Sequence, residues 1–220
     1  MRPSSFRAFL FDMDGTLLTS IEAAERVWGA WARRHGIDPA VLLPTIHGVR
    51  VEETIARQQL PGIDIAREAR AITDAELDDM HGVHAIEGAA AFLRSLPADA
   101  WAVVTSAPRL LAERRMQAAG LPLPAVMVTA EDVRVGKPSP EGYLSAAAQL
   151  GVEACDCLVF EDAPAGMQAG EAAGATVIVV MATHATGAPH QGLHITGYTG
   201  VQLHADAGRY RLSWPDGSAG

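Results

Sequence analysis

The sequence predicts an α/β protein: a doubly wound, mostly parallel sheet with an inserted all-helical cap domain. Three observations predict it. Short apolar runs alternate with longer helix-like segments, the first run is followed by a long interval without strand pattern, and several runs end abruptly in acids or hydroxyls.

The apolar runs are residues 8–11, 101–104, 126–128, 157–160 and 176–180, most bounded by Gly, Pro or charged residues. Strands covered on both faces of a parallel sheet read as continuous apolar stretches of this kind. Between them, residues 87–96, 109–119, 140–150 and 165–173 are each long enough for the crossover helix of a βαβ unit. A Rossmann-like order follows. Gly120, Gly151 and Gly174 stand just past three of these helices, and Ser139-Pro140 has the form of an N-cap followed by Pro at the first helical position.

Residues 19–85 break the alternation with Glu-, Arg- and Ala-rich helical patterns at 21–35 and 51–60, and Thr19 and Glu22 have the spacing of a capping box. The expected division is therefore a core of residues 1–18 and 86–220 and a helical cap of 19–85. Such a cap lies over the carboxyl ends of the strands, where open α/β sheets bind ligands. The tail, 183–220, is rich in His and Gly and suggests only an edge strand near 210–214.

Composition narrows the class. Hydrophobic residues at 49% and charged ones at 20% suffice for a packed core in 220 residues. A net charge of -9 with no basic run argues against nucleic acid. Cys155 and Cys157 are too few for a disulfide framework and lack partners for zinc, so they read as a structural pair on a strand. The first apolar run is too short for a signal peptide, and no stretch has the length of a membrane helix, so the expectation is a soluble cytoplasmic protein with no membrane association and no obligate protein partner.

Four clusters carry chemistry. In Phe11-Asp12-Met13-Asp14-Gly15-Thr16 a buried strand runs into two carboxylates and a glycine turn; alternation sends Asp12 and Asp14 the same way. Val104-Thr105-Ser106-Ala107 ends a strand in hydroxyls, suiting one hydroxyl and successive backbone N–H groups to phosphate oxygens. Gly136-Lys137-Pro138 delivers a lysine able to neutralise nucleophile and phosphate together. Phe160-Glu161-Asp162-Ala163-Pro164 ends another strand in adjacent acids. Magnesium is a hard cation that takes carboxylate oxygens, so Asp12, Glu161, Asp162 and the backbone carbonyl of Asp14 form a plausible ligand set. Taken singly, each cluster also reads as a turn, a cap or a solvated surface group. Together they bring these groups to one edge of a parallel sheet.

These motifs, DMDGT, VVTS, GKP and FEDAPAG, resemble those of the haloacid dehalogenase-like hydrolase superfamily, over nearly the whole chain. The cap is similar to the helical type of its phosphoglucomutase-like branch, and residues 101–174 resemble the glycerol-phosphate, 2-deoxyglucose-phosphate and hexitol phosphatase group. The resemblance implies Asp12 as nucleophile, Asp14 as general acid and then base, Thr105 as a phosphate ligand, Lys137 as the steadying charge and Glu161 with Asp162 as the acidic magnesium side. It departs at Leu18-Thr19-Ser20, where many relatives carry an Asp-Ser pair.

The implied activity is magnesium-dependent hydrolysis of a small phosphorylated sugar or polyol through an aspartyl-phosphate. Candidate substrate-binding residues are Ser106, Ala107 and Arg109 beside the second motif and Glu22, His47 and Arg50 in the cap. A phosphomutase would use the same intermediate but return the phosphoryl to a sugar hydroxyl. A receiver-type phospho-switch fits less well, because it has no helical insertion and no use for the second acid of DxDGT. A catalytically silent module would be expected to have lost a motif residue.

Overall fold

The structure is a computed structural model that describes residues 5–184 and 193–214. In chain order the core opens with β1 (Ala8–Phe11), then β2 (Leu18–Thr19) leads into the cap helices α1 (Ile21–Arg34), α2 (Pro39–Leu42), α3 (Val51–Arg57) and α4 (Ile65–Asp78). The chain returns through β3 (His84–Ala85), which pairs antiparallel with β2. It continues as α5 (Ala89–Ser95), β4 (Trp101–Val104), α6 (Arg109–Ala118), β5 (Val126–Val128), α7 (Glu141–Gln149), β6 (Cys157–Glu161), α8 (Pro164–Ala172) and β7 (Thr176–Val180). The last elements are β8 (His194–Ile195) and a hairpin of β9 (Gln202–Asp206) and β10 (Arg209–Ser213).

Six strands form one sheet in the order β5-β4-β1-β6-β7-β8, with every neighbouring pair parallel. Its two faces explain why the strands read as unbroken apolar runs. Phe9, Phe11, Trp101, Val103 and Phe160 point to one face, under α5 and α6. Ala8, Leu10, Ala102, Val104 and Val159 point to the other, under α7 and α8. Aromatic residues are only 5% of the chain, but they are concentrated on the first face, where Phe11 stacks on Phe160 at 4.6 Å and Tyr198 on Phe92 at 5.4 Å. The cap has its own small core, in which Trp28, Trp31, Leu42, Ile55 and Ile72 are buried together.

Three local expectations change. The capping box at Thr19 and Glu22 does not form: α1 is capped by Ser20 without a side-chain cap bond, and the Ser20 hydroxyl donates instead to Asp14, at 2.6 Å. Cys155 sits exposed in a short 3-10 turn before β6, and only Cys157, on the strand, is buried. The tail holds more than one edge strand. β8 extends the sheet in parallel, and Tyr210 of the β9–β10 hairpin lies over Phe9 at 5.8 Å. A two-residue strand such as β8 is too short to register as an apolar run; the expected tail also includes residues 185–192 and 215–220, which lie outside the described residues.

Candidate active site

The sheet places the four motifs at its carboxyl edge. β1, β4 and β6 are neighbours with Phe11 level with both Val103 and Phe160, so Asp12, Thr105 and Glu161 emerge side by side. Gly15 makes the turn after Asp12 at φ +89, and a Cβ there would come within 2.0 Å of Asp162 Oδ2, so only glycine lets the first loop close against the fourth. Gly166 has the same tolerance problem on α8: an added Cβ would lie 1.5 Å from Glu161 Oε1.

Lys137 is the hub. Its ammonium donates to Asp12 Oδ1 at 2.5 Å and to Glu161 Oε1 at 2.6 Å, and it is almost fully enclosed. Burial alone would depress its pKa, but Asp12 and Glu161 hold the ammonium above the ordinary lysine value. Glu161 is fully buried and both of its oxygens are engaged: Oε1 also accepts from the Tyr143 hydroxyl at 2.9 Å, and Oε2 accepts the backbone N–H groups of Asp162 and Ala163, each at 3.0 Å. Four donors fill the acceptor sites of one carboxylate. Glu161 therefore anchors Lys137 and the fourth loop.

Asp12, Glu161 and Asp162 can bring one oxygen each within 4.8 Å of one another. Burial, with Glu161 and Asp14 adding to it and Lys137 opposing, pushes Asp12 up to about 7. Burial and then the charges of Asp12 and Glu161 push Asp162 well above the usual carboxylate range. Three carboxylates around one ammonium leave an excess of negative charge in a buried place, so the donor set fits a hard divalent cation such as magnesium. Asp12 and Asp162 are the carboxylates with oxygens to give it; Asp162 is steadied by the Thr16 hydroxyl at 3.2 Å.

The cavity lies between cap and core. Asp12, Asp14, Thr105, Ser106 and Ala107 line it from the core side, and His47 lines it from the cap. Thr105 Oγ1 accepts the Ala107 N–H at 3.1 Å, and Ser106 Oγ donates to the cap carbonyl of Gly48 at 3.1 Å. His47 is exposed at the cavity rim; partial desolvation lowers its pKa, against the pull of Glu25 and Asp14. The other candidates sit elsewhere. Arg50 donates to the carbonyls of Val133 at 2.7 Å and Arg134 at 3.3 Å, tying the cap to the loop that carries Lys137. Arg109 turns away to Asp132, at 2.7 Å, and to the Met127 carbonyl. Glu22 is largely exposed, with Arg26 4.0 Å away.

Sequence reasoning missed Ser20, Glu76 and Arg115, all in the cavity wall. Arg115 is 5% exposed, and its Nη1 lies 3.2 Å from both oxygens of Asp14. Its Nη2 stands 3.2 Å from Oε1 of Glu76, which belongs to the cap helix α4. Burial raises the Glu76 pKa, with Arg115 opposing. A signal exists in hindsight: Arg115 follows Leu111 by one helical turn and Glu76 follows Ile72, so both are charges on an apolar stripe.

A parallel α/β core with these four loops and a helical insertion defines a hydrolase class. The description "Hydrolase: haloacid dehalogenase-like hydrolase" matches residues 6–174, and the chain belongs to this haloacid dehalogenase-like family of enzymes. Among its relatives, hexitol phosphatase A of Escherichia coli (strain K12) is 45% identical over 181 residues, covering 80% of this chain and 83% of that protein. 2-deoxyglucose-6-phosphate phosphatase 1 of Saccharomyces cerevisiae is 34% identical, covering 80% of each. The crystal structure of CbbY from Rhodobacter sphaeroides in complex with phosphate superposes with a TM-score of 0.72 at 25% identity, over 88% of this chain and 95% of that one. No helix among the described residues is long and apolar enough to cross a membrane.

Proposed function

We propose that this hydrolase is a magnesium-dependent phosphatase that acts on a small phosphorylated sugar or polyol through a covalent aspartyl-phosphate on Asp12. The observation that carries the reading is the buried contact of Lys137 with Asp12 and Glu161, with an Asp162 oxygen close to both carboxylates and Asp12 lining the cavity between cap and core. The relatives named as hexitol and deoxyglucose phosphate phosphatases support the substrate class.

In the first half-reaction an Asp12 oxygen bonds to phosphorus and the bond from phosphorus to the ester oxygen breaks, while Asp14 gives that oxygen its proton. In the second, Asp14 takes a proton from water, the water oxygen bonds to phosphorus and the bond to Asp12 breaks. Lys137 offsets charge on the nucleophile and the phosphoryl group; the Thr105 hydroxyl, oriented by the Ala107 N–H, and the Ser106 N–H receive the equatorial oxygens. Asp12 and Asp162, with the Asp14 carbonyl, would hold magnesium, which when bound supplies the positive charge that an anionic nucleophile needs to approach a dianion. His47 lines the cavity from the cap, on the side proposed to take the leaving group, whose hydroxyls suit such a partner.

A phosphate-release screen across sugar and polyol phosphates, with and without magnesium, tests this. Release of inorganic phosphate from one of these esters that stops on chelation is expected. Isomerisation without free phosphate would move the assignment to a phosphomutase, and no magnesium-dependent turnover of any of them would refute it.

A further inference from the structure

Arg115 is a buried arginine in the cavity wall, held between two carboxylates of different origin. Asp14 comes from the first motif loop, Glu76 from cap helix α4, and Arg115 itself from core helix α6. Burying the Arg115 and Glu76 charges against a partly exposed Asp14 is costly, and removing any one leaves the others uncompensated, so such a cluster fixes geometry more than it adds stability. The geometry it fixes is that of Asp14. Nη1 stands at the same 3.2 Å from Oδ1 and Oδ2, while Ser20 Oγ reaches Oδ1 at 2.6 Å. The carboxyl is therefore held from two directions, by the start of the cap and by the core. The guanidinium sacrifices its other contacts to stay there: among the described residues Nε and Nη2 have no well-formed hydrogen bond, and Nη2 has only the ionic approach to Glu76.

We infer that Arg115 is the positioning residue for the general acid Asp14, and that Glu76 on the cap sets how firmly Arg115 holds it. The inference rests on the proposed role of Asp14. A seated cap brings Glu76 against Arg115, and Arg115 aims the carboxyl at the leaving-group oxygen. A proton-transfer group contributes only when it lies within hydrogen-bond reach of the atom it serves, so loss of aim removes part or all of its effect.

The test compares an alkyl ester, a hexitol 6-phosphate, with p-nitrophenyl phosphate, whose leaving group departs without a proton. The value compared is kcat/KM, which covers steps only up to formation of the aspartyl-phosphate and so excludes the later hydrolysis shared by both substrates. For Arg115→Met, kcat/KM is expected to fall about 30-fold or more on the hexitol ester and by less than about 3-fold on p-nitrophenyl phosphate. Glu76→Gln should give the same asymmetry, reduced. Adding Arg115→Met to Asp14→Asn should cost nothing more on the hexitol ester, since the group being aimed is already gone. If Arg115→Met does not accumulate as folded protein, Glu76→Gln and Arg115→Lys carry the same comparison. Equal losses on the two substrates would mean a merely structural role and would overturn the inference. Asp14→Asn keeps the two readings apart: if it is asymmetric and the Arg115 variants are not, only the inference fails, whereas a symmetric Asp14→Asn removes the acid assignment and the inference with it.

Discussion

Replacing Lys137 with methionine keeps the length of the side chain and deletes one charge. Asp12 and Glu161, 2.5 and 2.6 Å from the lost ammonium, then face each other across a buried gap. Removing one partner of a buried ion pair costs about 3–5 kcal/mol, because the remaining charge is uncompensated. For a chain of this size each kcal/mol lowers Tm by about 2–4 °C, so a fall of roughly 6–20 °C is expected, within what a domain stable by about 5–15 kcal/mol survives at room temperature. The pH dependence has a definite sign. Asp12 already has a folded-state pKa raised from 3.8 to about 7, and loss of Lys137, which lowers it, raises it further. A carboxyl raised in the folded state favours folding while it holds its proton there, and that contribution fades as pH climbs through the folded pKa. The penalty of Lys137→Met should therefore be larger above about pH 7 than at pH 5. Scanning fluorimetry of both proteins across this range reads it directly. A Tm change under about 2 °C at all pH values, or a larger penalty in acid, would refute the role of Lys137 as counter-charge.

Three further outcomes follow from the same geometry. The gain in Tm on adding magnesium should grow as pH climbs through about 7 and Asp12 gives up its proton to the incoming cation; a gain that shrinks with pH would contradict the proposed ligand set. Gly166→Ala should destabilise by about 1–3 kcal/mol and impair turnover, because its Cβ displaces the Glu161 carboxylate that anchors Lys137; urea titration and phosphate release check both. Arg109→Ala and Glu22→Ala should leave kcat/KM within about 3-fold of the parent, since Arg109 is turned to Asp132 and Glu22 to solvent; a loss of about 100-fold would put them in the substrate's path.

The strands and the four motif loops were legible because their physical cause is local. Ala8 and Leu10 face one helix layer and Phe9 and Phe11 the other, so burial on both sides leaves an apolar run that needs no knowledge of the fold. The division of labour within the site was less legible. Adjacent acids at 161 and 162 look equivalent in sequence, and only the fold brings Tyr143, Lys137 and two backbone N–H groups onto Glu161 while Asp162 takes the Thr16 hydroxyl on one oxygen. Arg115 and Glu76 left only half a signal, each a charge on an apolar helical stripe whose partner lies on another helix. Ser20 read as the neighbour of a capping residue, yet its hydroxyl is engaged with Asp14. Short pairings such as β2 with β3, or β8 on the sheet edge, leave no periodic trace at all.

Covalent participation of Asp12 is open to direct measurement. The protein is mixed with magnesium and its best substrate, quenched in acid within the first turnover, digested, and the peptides are weighed. One added phosphoryl group on the peptide carrying Asp12, absent from inactive Asp12→Asn, is the expected result. Full turnover by a clean preparation of Asp12→Asn, or a phosphoryl adduct on a different residue, would contradict it.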